Sequence, residues 1–301
     1  MSQQQREQVD QMMRAAPLDI GGEPGELRRL FEQMMTSQPL SDDVQATPGE
    51  LGDVPMLTIT IDGAPADRTH LWFHGGWYVI GSSRTSAGLS ADLARRGAAR
   101  AVSIDYRLAP EHPYPAALQD AQAAYKALLG SGVDPATVAF VGESAGGGLA
   151  TATMASLGDL GLPQPSCAVL FSPWTDLTLS GASMTEKVGI DPAFVPDKVQ
   201  VRANDYVAGA DPADPAISPL FADLRGLPPM LIQAGSNEIL LDDSTRLAAR
   251  AAAQDVAVIL DVTPGVPHVF QSFAAVLEEG DLALDRVTEF LWARTGAAAR
   301  P

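Results

Sequence analysis

The chain has 301 residues, 46% of them apolar and 19% charged, with 20 Lys and Arg against 37 Asp and Glu for a net charge of −17. That length and apolar content fit one α/β domain or two smaller ones and argue against wholesale disorder. The acidic balance excludes nucleic acid as the main partner, because neutralising phosphates needs clustered Lys and Arg, and it argues against docking on an anionic membrane. The lone cysteine, Cys167, excludes an intramolecular disulfide and a cysteine-rich zinc site. The histidines His70, His74, His112 and His268 show no metal-binding helical spacing, so no metal is expected; no organic cofactor is expected either. Residues 1–17 lack the basic and apolar regions of a secretory signal, and no apolar run reaches the ~18 residues of a membrane span. A cytoplasmic protein without stable membrane insertion is the expectation.

In chain order, residues 1–40 are polar with spaced apolar positions, and Leu27, Leu30, Phe31, Met34 and Met35 predict an amphipathic helix. Short, nearly continuous apolar runs then predict strands at 54–61, 68–73, 99–106, 137–142, 166–172, 229–235 and 256–262. Ala- and Leu-rich stretches of helical length lie at 84–97, 115–130, 145–159, 243–254 and 271–294. Alternating strands and helices imply an α/β fold with a doubly wound, mostly parallel sheet. Residues 174–228 carry no clear strand and are too long for a bare loop, so they read as a helical insertion above the strand ends.

The strongest local signal is Gly142-Glu143-Ser144-Ala145-Gly146, a G-x-S-x-G placed between a predicted strand and a small-residue helix. In that context the serine occupies a strained turn at a helix N-terminus, which suits a nucleophile. Its base should follow it in the chain, and His268, in a loop beyond the last predicted strand, is the histidine after Ser144. The acid should follow the strand 229–235, where Glu238, Asp242 and Asp243 compete. Glu238 lies nearest the strand end, whereas Asp242 and Asp243 fall where helix-capping carboxylates are common, so Glu238 is preferred. His74-Gly75-Gly76-Trp77 follows the strand 68–73 and matches an HGGG-type loop except at its last position. Gly75, Gly76, Trp77 and Ala145 are the expected oxyanion-hole residues; Gly75 shapes the turn and the other three supply N–H groups. Trp77 either fills space near the site or packs away from it. Candidate pocket residues are Met34, Met35, Tyr78, Phe194 and Val195, all equally explicable as packing. Cys167, on a predicted buried strand, reads as a small core residue.

Together with Gly81-Ser82, the run Asp105-Tyr106-Arg107-Leu108-Ala109-Pro110-Glu111 and Pro267-His268, these motifs resemble the bacterial hormone-sensitive lipase family of α/β-hydrolases. The likeness spans about residues 68–275. Glu238 matches the position where most members place an Asp, Asp242 matches a second acidic position, and Glu143 stands where Asp or Thr is frequent. The resemblance implies an α/β-hydrolase fold with a helical cap. Residues 1–45 would form an N-terminal cap segment and 46–301 the hydrolase domain, with a cap insertion near 176–215. It also implies a serine carboxylesterase for short- to medium-chain, apolar esters, and a homodimer formed through the strand near 256–262. A lactone or amide hydrolase would use the same triad. An acyltransferase side activity is compatible with it. A non-catalytic small-molecule receptor, as in the plant gibberellin receptors that resemble this family, is disfavoured by the retained histidine.

Overall fold

In the computed structural model, which describes residues 2–16 and 18–296, one eight-stranded sheet carries the chain. Its strands are β1 (Val44–Leu51), β2 (Val54–Ile61), β3 (Thr69–Phe73), β4 (Arg100–Ile104), β5 (Val138–Glu143), β6 (Cys167–Phe171), β7 (Met230–Gly235) and β8 (Val258–Thr263). Their order is β1-β2-β4-β3-β5-β6-β7-β8; β2 runs antiparallel to β1 and β4, and the remaining neighbours are parallel. Every residue of β3, β5, β6 and β7 is buried, as expected where helices cover both faces of a parallel sheet.

The alternation of side chains along each strand builds two cores. Leu71, Phe73, Phe140, Leu170 and Ile232 face one core, closed by α4 (Ala116–Gly130), α5 (Ala145–Ser156) and α8 (Leu241–Ala253). Trp72, Val141, Val169, Phe171 and Leu231 face the other, closed by α3 (Ala87–Gly97) and α9 (Glu278–Arg294). The predicted helix at 271–294 divides into a 3₁₀ turn, Phe270–Phe273, and α9.

The first strand, β1, has no counterpart among the elements the sequence predicts. VQATPGEL is largely exposed and contains Pro48 and Gly49, so it lacks the apolar run that marks a central strand. Its pairing is set by a two-residue turn in which Gly52 and Asp53 both have positive φ (62° and 63°) and Leu51 faces Val54. Because β1 starts at Val44, the sheet begins slightly before residue 46.

Helices α1 (Ser2–Arg14) and α2 (Pro24–Met35) precede the sheet, and the insertion contains α6 (Ser183–Glu186) and α7 (Pro196–Val207). Arg28 of α2 donates to the carbonyls of Val79 and Ala109 and pairs with Glu111, whose carboxyl it lowers to about 2. Arg14 donates to the carbonyls of Gly189 and Ile190, fastening α1 to the insertion. Val9 buries itself among Val266, Phe270, Leu277 and Ala283, and Arg6 pairs with Glu279 of α9. Helix α1 therefore braces the loop after β8. Among the described residues, no helix is long and apolar enough to cross a membrane.

Candidate active site

The sheet register brings the carboxyl ends of several strands to one edge: Phe73 pairs with Gly142, Glu143 with Phe171, and Gly235 with Thr263. Ligands of open α/β sheets bind beyond such ends. Ser144 is the residue between β5 and α5, at φ 54° and ψ −122°. A non-glycine residue there stores about 1–3 kcal/mol, held by the surrounding packing. Close approach explains the small residues around it: a Cβ on Gly146 would stand 1.9 Å from the Phe73 carbonyl oxygen. The first turn of α5 thus lies directly against the end of β3, its positive dipole end at Ser144.

The loop after β3 is shaped by Gly76, at φ 121°, whose carbonyl accepts the N–H groups of Val79 (2.9 Å) and Ile80 (2.8 Å). A Cβ at this position would meet the Ile80 carbonyl oxygen at 2.1 Å. The Glu143 carboxylate accepts from Trp72 Nε1 and Ser86 Oγ, and its side chain packs beside Gly75, where a Cβ would stand 3.3 Å from Glu143 Cγ. The N–H groups of Gly76, Trp77 and Ala145 take part in none of the loop, turn and cap hydrogen bonds between described residues. His74 braces the loop from behind: its ring stacks on Tyr106 at 4.1 Å, its Nδ1 meets the Gly75 carbonyl, and its own carbonyl accepts the Tyr106 hydroxyl. Asp105 holds the same region by accepting from the N–H and hydroxyl of Ser83.

Glu238 and His268 meet directly. His268 Nδ1 lies 2.5 Å from Glu238 Oε2, and both residues are buried. The second oxygen of Glu238 accepts the Ser172 hydroxyl (3.0 Å) and the Gly235 N–H (2.9 Å). Ser172 in turn accepts the Val269 N–H at 3.1 Å, next to the histidine. The preceding carbonyl, of Phe171, accepts the Ser144 N–H at 2.8 Å. Hydrogen bonds thus link Ser172, the carboxylate and the histidine loop, and the carbonyl just before Ser172 holds the backbone of the serine turn. Ser172, which bridges Glu238 and the Val269 N–H, is a position that sequence reasoning missed; a serine after a buried strand carries no distinguishing signal.

The competing carboxylates are placed elsewhere. Asp242, half-buried, accepts the Ser183 N–H. Asp243 accepts the N–H groups of Thr175 and Asp176, bracing the loop after β6; burial pushes its carboxyl up to about 8.

Trp77 turns into the site. Its ring lies parallel to that of His268 at 6.3 Å and meets Trp174 (5.1 Å) and Phe194 (4.6 Å) edge-on. Phe194 also meets His268 edge-on at 5.1 Å. Tyr78 is a correction to the expected pocket. Both it and Trp77 have positive φ, but Tyr78 is a core residue, with its ring stacked on Tyr206 at 3.8 Å and tilted against Trp174 and Tyr106. Met34, Met35 and Val195 are exposed on α2 and at the start of α7, so of the five pocket candidates Phe194 is the one the structure brings against His268. Among the described residues, no group of three or more His, Cys, Asp or Glu side chains is placed to hold a metal ion.

A sheet of this topology with a serine turn at the end of β5 and a carboxylate-bound histidine beyond β8 defines a serine hydrolase of the α/β class. The alpha/beta hydrolase fold family matches residues 70–272. The chain is 39% identical to an acetyl-hydrolase from Streptomyces hygroscopicus, over 85% of this chain and 88% of that one. It is 38% identical to an esterase from Acinetobacter venetianus, over 91% and 90% respectively. The crystal structure of an esterase from the bacterial hormone-sensitive lipase family superposes with a TM-score of 0.93 at 42% identity, covering 97% of this chain and 99% of the other. The chain belongs to the bacterial hormone-sensitive lipase family of α/β-hydrolases and is a carboxylic ester hydrolase.

Proposed function

We propose that the chain is a serine carboxylesterase that cleaves short- to medium-chain, apolar esters through an acyl-enzyme on Ser144. Ser144 Oγ attacks the ester carbonyl while His268 takes its proton through Nε2. Glu238 keeps the His268 proton on Nδ1 and stabilises the imidazolium without accepting its proton. The N–H groups of Gly76, Trp77 and Ala145 receive the developing oxyanion. His268 then protonates the leaving alcohol and afterwards activates the water that releases the acid. The observation that carries this reading is the buried Glu238–His268 pair tied through Ser172 to the strained serine turn.

The test is hydrolysis of p-nitrophenyl butyrate by the wild type and by Ser144→Ala. Loss of at least about three orders of magnitude in kcat is expected; a variant near the wild-type rate contradicts the assignment.

The compartment proposed is the cytoplasm, and cell fractionation should find the activity there. Ile259, Leu260 and Val262 are exposed on the edge strand β8, which supports pairing of two copies there. Ile259→Lys should then shift sedimentation toward the monomer.

A further inference from the structure

One buried carboxylate beside the site has no part in the chemistry described above. Asp191 lies in the cap between α6 and α7 and is 4% exposed. One of its oxygens accepts the N–H groups of Ala193 (2.8 Å) and Phe194 (2.9 Å), closing the turn that presents Phe194. Its other oxygen accepts the N–H of Ile239 (2.9 Å), the residue after Glu238. The Asp191 side chain thus ties the cap turn to the loop that carries the proposed triad acid. From the other side, Arg14 holds the carbonyls of Gly189 and Ile190. What this bracing delivers is the Phe194 ring, edge-on to both Trp77 and His268.

The position matters because of what His268 must do. To protonate the leaving alcohol, the imidazole has to lie within hydrogen-bond reach of the leaving oxygen. The carbon chain on that oxygen must therefore run past whatever stands beside the ring, and Phe194 and Trp77 stand there.

We propose that Phe194, held in place by Asp191, limits the length of the alcohol arm of the ester, so that preferred substrates are esters of small alcohols. Phe194 is the specificity-determining residue and Asp191 its positioning residue. This inference rests on the esterase reading above.

The experiment measures kcat/KM by proton release for two series: acetates of ethanol, butanol and octanol, and ethyl esters of acetic, butyric and octanoic acids. Active sites are counted with an organophosphate, so that partial misfolding of a variant does not enter the ratios. Phe194→Ala should raise the octyl-to-ethyl ratio in the alcohol series about tenfold and leave the acyl ratio within about twofold. Asp191→Asn keeps the acceptor for Ala193 and Phe194 but turns an NH₂ toward the Ile239 N–H, and it should raise the alcohol ratio several-fold. In the Phe194→Ala background it should add nothing to that ratio, a non-additivity that general destabilisation does not produce. A flat alcohol ratio in Phe194→Ala, a shift in the acyl series instead, or an additive effect of Asp191→Asn overturns the proposal. A wild type that hydrolyses neither series contradicts the esterase reading itself, which separates the two failures.

Discussion

Replacing Glu238 by Gln preserves its shape but removes its charge, and the structure determines what that costs. Each carboxylate oxygen has its own donors: His268 Nδ1 on one, the Ser172 hydroxyl and the Gly235 N–H on the other. If the Gln oxygen stays toward Ser172 and Gly235, its NH₂ faces Nδ1. The imidazole proton then moves to Nε2, the atom that must accept the proton of Ser144. If the amide flips, the Gly235 N–H confronts a donor, a buried mismatch worth about 1–3 kcal/mol. In both cases the imidazolium formed during attack loses a neighbouring negative charge. At about 4 Å and an effective dielectric constant near 20, that interaction is worth about 4 kcal/mol, or about a thousandfold in rate. The tautomer error brings the expected loss in kcat to about 10³–10⁴-fold. Asp242→Asn retains an oxygen for the Ser183 N–H and should change kcat by less than about threefold. The assay is kcat for p-nitrophenyl acetate, with thermal melting to confirm that both variants fold. A Glu238→Gln enzyme within about tenfold of wild type, or a larger loss in Asp242→Asn, would refute the assignment of the acid.

Other expectations follow from packing and titration. His70 is fully buried on β3, neither ring nitrogen has a hydrogen-bond partner, and burial followed by the Arg68 charge lowers its pKa to about 4. Below its ordinary value near 6.5 the unfolded chain takes up a proton that the folded chain refuses. Stability is therefore lost as pH falls from about 6.5 toward 4, by about 2 kcal/mol at pH 5. Urea titrations at pH 7 and pH 5 should show that His70→Leu loses this much less between the two pH values, and an unchanged difference refutes it. Gly146→Ala would press a Cβ onto the Phe73 and His74 carbonyl oxygens, so kcat should fall about a hundredfold through displacement of the loop after β3 from Ser144. Gly88→Ala, where a Cβ meets open space in α3, should instead raise stability by about 0.5–1 kcal/mol in the same denaturation assay. Arg28→Met removes the donor to the Val79 and Ala109 carbonyls and the partner of Glu111. It should lower kcat/KM several-fold while the chain stays folded by circular dichroism.

The parts of the molecule legible in its sequence are those whose physics is local. Runs such as Val138–Val141 must be strands because both faces are buried, and the serine turn needs small residues at fixed offsets because the backbones nearly touch. Glu238 was separable from Asp242 and Asp243 by its distance from the end of β7. What escaped was set by partners distant in sequence. Strand β1 is largely exposed and draws its order from pairing with β2, although its Gly52-Asp53 turn is a usable signal. Ser172 and Asp191 acquire meaning only once β6, the cap turn and the acid loop are brought together. The direction of Trp77 depends on Phe194, supplied by the cap more than a hundred residues later. Tyr78, beside it in sequence, is claimed by Tyr206 of α7 and becomes core.

The central claim is that ester cleavage passes through Ser144. Its most direct test is to label the wild type with a fluorophosphonate, follow loss of esterase activity, and locate the adduct by peptide mass spectrometry. One adduct per chain, on Ser144, accumulating in step with the loss of activity and absent from Ser144→Ala, is the predicted result. Full activity in a chain fully labelled at Ser144, or inactivation with the label on another residue, would contradict the account.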